Sequence, residues 1–116
     1  MKARIPKGMG GGPQNMNAMM RQVQKFQEER EALAEELEAR TYEVSAGGGA
    51  VSLTIDGTRR VTAIKIAEEI IDPDDPETLE DIIVAAVNEA ISRVEDDAAA
   101  EMSALAARHG IPDGAL

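Results

Sequence analysis

The sequence contains no cysteine and no tryptophan, and only one phenylalanine, one tyrosine and one histidine. Without cysteine there is no disulfide, no thiolate nucleophile, no iron–sulfur cluster and no zinc–thiolate site. A single histidine leaves nothing to supply the second ring of a histidine metal centre, and little basis for a Ser-His-Asp triad. Two aromatics in 116 residues oblige the core to be built from Val, Ile, Leu, Met and Ala, each burying less area than Phe or Trp. No run approaches the roughly 18 apolar residues of a membrane span. The basic start MKARIPKGMGGGPQ has no apolar h-region behind it, so it does not read as a secretory signal. These absences favour a soluble, cytoplasmic, non-enzymatic protein with no cofactor, metal or small-molecule substrate, acting by binding another macromolecule.

What the chain has is acid. Its 22 Asp and Glu outweigh 12 Lys and Arg, for a formal net charge of −10, and such a total speaks at first against nucleic acid and anionic membrane. The distribution changes that reading. Met1–Gln27 holds no acid and five bases, Lys2, Arg4, Lys7, Arg21 and Lys25, so every acid lies beyond it. The protein is a basic head on an acidic body.

Residues 1–14 are rich in Gly and Pro and read as a flexible basic leader. A helix is expected over 15–40, with Asn15 as N-cap. Met16, Met19, Val23, Phe26, Arg30, Leu33, Leu37 and Arg40 recur at alternating steps of three and four, the heptad seam of a helix that packs along another helix. Arg30 on that seam calls for a carboxylate, with Glu95, Asp97 or Glu101 on the other helix or chain as candidates. The next segment alternates apolar and polar: Tyr42, Val44 and Ala46, then Val51, Leu53 and Ile55, then the β-branched run Val61–Ile66. Gly47-Gly48-Gly49 and Asp56-Gly57 are hairpin signals between these runs. The second helix is expected to start at Asp75-Pro76, to carry Leu79, Ile82, Ile83, Ala86, Val87, Ala90, Ile91 and Val94 on one stripe, and to stop at Gly110. The fold class is thus α+β: a single domain over 15–110 with a long N-terminal helix, a three-stranded antiparallel meander and a long C-terminal helix. Residues 111–116 read as a short tail.

Length carries a further consequence. A 26-residue helix is about 39 Å long, whereas a six-residue strand covers only about 20 Å. The helices outrun their sheet, and both the surplus seam and the open sheet edge call for a partner. A homodimer with projecting helical arms satisfies both.

The segments MRQVQKFQEE, EVSAGGGAVSLTIDGTRRVTAIKI and DPETLEDIIVAAVNEAISRV, in this order, resemble the YbaB/EbfC nucleoid-associated proteins over about Met16 to Gly110. The resemblance implies a small homodimer shaped like tweezers in the nucleoid, binding duplex DNA with little sequence preference and affecting chromosome organisation or transcription. It assigns DNA contacts to the arms. The matching bases here are Arg21 and Lys25, with Lys2, Arg4 and Lys7 beyond the arm's tip. The second helix departs from the pattern: Glu95, Asp96, Asp97 and Glu101 outweigh Arg93 and Arg108, which speaks against a clamp made by both helices. The alternative is an acidic dimeric adaptor for a replication or recombination protein.

Other motifs reduce to structure. No GK[ST] follows Gly47-Gly48-Gly49, so it is a turn and not a phosphate loop. Asp72, Asp74 and Asp75 lack the spacing of a calcium loop and suit a turn and helix cap. Adjacent acids such as Glu35 and Glu36 point about 100° apart on a helix, a solvated face and not a catalytic pair. His109 suits a helix-end cation.

Overall fold

The computed structural model describes residues 12–111, with side chains from Asn15 onward. The elements are α1 (Gly12–Ala39), β1 (Thr41–Ala46), β2 (Val51–Asp56), β3 (Val61–Ile66), a single 3-10 turn (Glu68–Ile70) and α2 (Pro76–Arg108). This is the expected order of helix, meander and helix. One boundary moves: α1 starts at Gly12, so Asn15 lies inside the helix and does not cap it. Proline is well suited to a first turn because the amide it lacks would have no intrahelical partner there, so Pro13 does not oppose the earlier start.

The strands pair antiparallel in the order β1-β2-β3, with Val44 opposite Leu53 and Leu53 opposite Ile64. A bulge between Thr54 and Ile55 brings Val61 opposite Ile55, keeping it on the same face. Period-two alternation therefore places Tyr42, Val44, Ala46, Val51, Leu53, Ile55, Ile64 and Ile66 together. The first half of α2 lies over β1 and β2, closing a core of Val44, Val51, Leu53, Ile55, Ala86, Ala90 and Val94. Two alanines at the helix–sheet contact let backbone approach backbone, which replaces the aromatic bulk the chain lacks. Each buried Val, Leu or Ile contributes roughly 1.5–3 kcal/mol. The helix does not reach β3, whose Val61 and Ile64 stay 42% and 44% exposed on the core-side face.

Both hairpin signals hold, but for different reasons. Gly47, Gly48 and Gly49 all have positive φ, between 65° and 94°, which L side chains resist. Gly57 is not in that region; the left-handed residue of its turn is Arg59, at φ 69°. Gly57 is needed for space, because the turn is packed under the end of α1 and its amide donates to Arg40 O at 2.9 Å.

Asp75 caps α2 as expected, its carboxylate accepting from the Thr78 amide and, at 2.6 Å, from the Thr78 hydroxyl. At the other end Gly110 turns left-handed at φ 72°. Ile111 N donates to Ala106 O at 2.8 Å and Gly110 N to Ala107 O at 3.1 Å, a Schellman closure.

The shape is a rod, 92 × 21 × 15 Å, with a radius of gyration of 23.9 Å. A compact chain of a hundred residues has about 13 Å. The sheet occupies the first half of α2. The second half returns antiparallel to α1, from Arg40 beside Asp97 to Phe26 beside His109.

Candidate nucleic-acid interface

The arm has a root, a middle and a tip. At the root the Arg40 guanidinium binds three carboxylates: Glu36 Oε1 at 2.9 Å, Asp97 Oδ2 at 2.9 Å and Glu101 Oε2 at 2.6 Å. The Tyr42 hydroxyl donates to the same Asp97 oxygen. This cluster locks the end of α1, the start of β1 and the middle of α2 together. The hydrogen bonds to Glu36, Glu101 and Asp97 hold the guanidinium charged far above its ordinary range. Those from Tyr42 and then Arg40 push the Asp97 carboxyl below the usual carboxylate value. Burial, and then the bond to Asp97, push the Tyr42 phenol up.

The carboxylate partners expected for Arg30 thus belong to Arg40, further along the same seam. Arg30 is exposed and in no ion pair among the described residues, and Glu95 lies near Arg59 at 3.5 Å. Within the protomer the pairing expected of Arg30 falls on Arg40 instead, because seam spacing does not say where on α1 the second half of α2 lands.

A pH dependence follows. A carboxyl depressed in the fold contributes stability above its unfolded pKa of about 4 and loses it as pH falls through the folded value. A phenol raised in the fold contributes below its unfolded pKa of about 10 and loses it as pH rises through the folded value. Urea midpoints measured across this range should be flat in the middle and fall at both ends. Tyr42→Phe should remove the Tyr42 part of the alkaline fall, and Asp97→Asn should shrink the acid one.

In the middle of the arm Leu37, Leu105 and Ala106 are buried, while Leu33 and Phe26 are half-buried. His109 meets Phe26 edge-on at 5.1 Å and lies 3.2 Å from Glu29 Oε1. It sits at the helix end as expected, and it also latches that end to α1. The return of α2 brings Arg108 and His109 into one groove with Arg30, beside Gln22 and Gln27. Sequence reasoning did not bring these residues together. The signal was available in the matched lengths, about 21 Å from Phe26 to Arg40 and about 18 Å from Asp97 to His109 in the opposite direction.

Beyond Phe26 the tip is a single helix. Arg21 and Lys25 are exposed there, beside Asn15, Ala18 and Gln22. Met16, Met19, Met20 and Val23 line a neighbouring groove of the tip and are 56% to 66% exposed, with Met19 also bordering the groove of Arg21 and Lys25. Of the seam, α2 covers Phe26, Leu33 and Leu37 and leaves Met16, Met19 and Val23 open. Lys2, Arg4 and Lys7 lie outside the described residues. Among the described residues no group of three or more His, Asp or Glu is placed to hold a metal, and no helix is long and apolar enough to cross a membrane.

Fold and charge together define a small α+β protein with a basic helical projection. The chain is 45% identical over 105 residues to a nucleoid-associated protein of Clostridium acetobutylicum, covering 90% of this chain and 92% of that one. It is 45% identical over 113 residues to another of Clostridium botulinum strain Eklund 17B, covering 97% and 96%. An uncharacterized protein of Helicobacter pylori shares the fold, with a TM-score of 0.54 at 21% identity over 65% of this chain and 87% of that one. The model of the YbaB/EbfC DNA-binding family matches residues 11–109, and the chain belongs to that family.

Proposed function

We propose that the chain acts in the nucleoid as a homodimer that binds duplex DNA with little sequence preference, through its arms and its basic leader. The observation that carries this reading is the acid-free projection. The residues that extend past the end of α2 bear Arg21 and Lys25 and no carboxylate, whereas the body is strongly acidic. Lys2, Arg4 and Lys7 precede them in the chain and add to the same charge. Bases that contact phosphates give affinity without reading sequence. The near absence of aromatics removes the stacking platforms that single strands use. The uncovered β3 edge, with Val61 and Ile64 beside it, is the surface offered for the second protomer.

The acidic adaptor is the weaker reading. Asp97 and Glu101 are taken up by Arg40 and Glu95 lies near Arg59, so much of the acidic stretch on α2 is engaged inside the protomer.

The test is duplex binding by anisotropy at a series of salt concentrations. Arg21→Glu with Lys25→Glu changes four side chains per dimer. It should weaken low-salt binding on the order of 100-fold and cut the slope of log affinity against log salt by about 3 to 4. Deleting residues 1–11 should lower the slope further. Unchanged binding in both variants would place the interface elsewhere. A stoichiometric protein partner with no DNA shift at low salt would favour the adaptor.

A further inference from the structure

We propose that the open Met16–Met19–Met20–Val23 face of the α1 tip docks on the same face of a second copy, tip to tip and antiparallel, and that this contact joins separate homodimers. The proposal rests on the dimeric, DNA-binding reading for its biological sense, though the contact itself needs no DNA.

Four observations converge on this occupant. The first is continuity. The open face extends the stripe of Phe26, Leu33 and Leu37 that α2 already covers in antiparallel sense. A second helix laid on the tip antiparallel to α1 would prolong the track of α2 beyond His109. The second is self-complementarity. An antiparallel pair centred between Met19 and Met20 sets Met16 against Val23 and Met19 against Met20, so one stripe fits a rotated copy of itself. The third is charge. Along its length the stripe is bordered by neutral amides, Asn15, Gln22, Gln24 and Gln27, and the bases Arg30 and Arg108 share a groove with it only at its Val23 end. Charged flanks select partners of opposite sign and reject like ones; neutral flanks neither recruit an acidic or basic partner nor repel a copy. The fourth is the position of the bases. At about 100° per residue, Arg21 and Lys25 fall roughly 150–170° from the centre of the apolar stripe. Two paired tips would carry their bases on opposite outer sides, free to meet two duplexes.

Orientation decides which copies meet. In an antiparallel pair of tips the two bodies lie at opposite ends of the joint, too far apart to share a sheet edge. The contact is therefore between dimers. It is short, about two turns, and a helix pair of that length is marginal alone. Two arms per dimer, and a shared duplex, raise the effective concentration of the second contact.

The natural absence of cysteine makes the test clean. Met16→Cys and Val23→Cys are made in separate full-length chains, one of them isotope-labelled, mixed without DNA and mildly oxidised. Covalent pairs are then sorted by mass. The expected result is a mixed disulfide, joining position 16 of one chain to position 23 of the other, several-fold above either self-disulfide and rising with protein concentration. Adding Met19→Glu with Met20→Glu to both chains should abolish it while circular dichroism and melting stay unchanged. A dominant disulfide between two copies of the Met16→Cys chain means parallel tips and overturns the proposal, as do a statistical mixture of the three products or none at the highest soluble concentration. Duplex affinity is not read in this experiment, so its failure leaves the DNA-binding reading standing, and failed DNA binding leaves this result interpretable.

Discussion

Gly57→Ala should unfold this protein at ordinary temperature or strip the arm from the body. A methyl at that position would overlap Leu37 O outright and sit 2.6 Å from Leu37 C and 2.9 Å from Glu38 Cα. All three are backbone atoms, so no rotamer relieves the clash. The β2–β3 turn would have to lift off the end of α1, giving up the hydrogen bond from Gly57 N to Arg40 O. The side-chain cluster around that same Arg40 would lose its geometry in turn. Several kcal/mol are at stake against a total stability of about 5–15 kcal/mol. Gly48→Ala provides the control. Its φ is +68° but nothing lies within 4 Å of the added methyl. Backbone strain alone costs about 1–2 kcal/mol, or roughly 4–16 °C in a domain of this size. In thermal melts followed by circular dichroism, Gly57→Ala should fall well below Gly48→Ala. A Gly57→Ala melt within a few degrees of the parent would mean that the turn is not held against α1.

The second large effect is expected at β3. Val61→Asp with Ile64→Asp places two charges on a face that the protomer leaves open, so each chain should fold with little change. If that face is the homodimer contact, the mass from sedimentation should halve. Duplex affinity should then drop on the order of 100-fold, because one arm binds without the effective concentration supplied by the other. A dimer that survives this pair of substitutions would remove β3 as the interface. A monomer that still binds DNA at full strength would mean that one arm suffices.

How far these features were legible in the sequence depended on their range. Strict alternation from Tyr42 to Ile55 announced strands, since period two admits little else. Asp75-Pro76 and Gly110 announced the ends of α2, because caps are local chemistry. The surplus of helix over sheet was readable from lengths alone, and with it the arm. The polarity of charge from Met1 to Gln27 was visible by counting. What escaped depended on where distant segments land. Arg30 and Arg40 both occupy seam slots, and only the antiparallel return of α2 decides which one meets Asp97 and Glu101. The same return brings Arg108 and His109 to the arm. Gly57 looked like a turn residue chosen for φ, whereas its smallness is demanded by the end of α1, a whole strand pair away in the chain. Asn15 looked like a cap because asparagine suits that position, yet the helix begins before it, at Gly12.

The tip shares no atom with the core. The buried residues run from Leu37 to Ala106, and between Asn15 and Lys25 every residue is exposed, with only Gln22 and Val23 reaching the groove at the end of α2, so this stretch contributes little to keeping the protomer folded. Fitness in that stretch is therefore set by what the tip touches and hardly at all by melting temperature. Selection can lengthen it, recharge it or change its methionines one at a time, each trial being nearly free of structural penalty. The body, with its alanine contacts and its crowded glycine, has no such latitude. One chain thus holds a mounting constrained by its own packing and a working end constrained by what it binds.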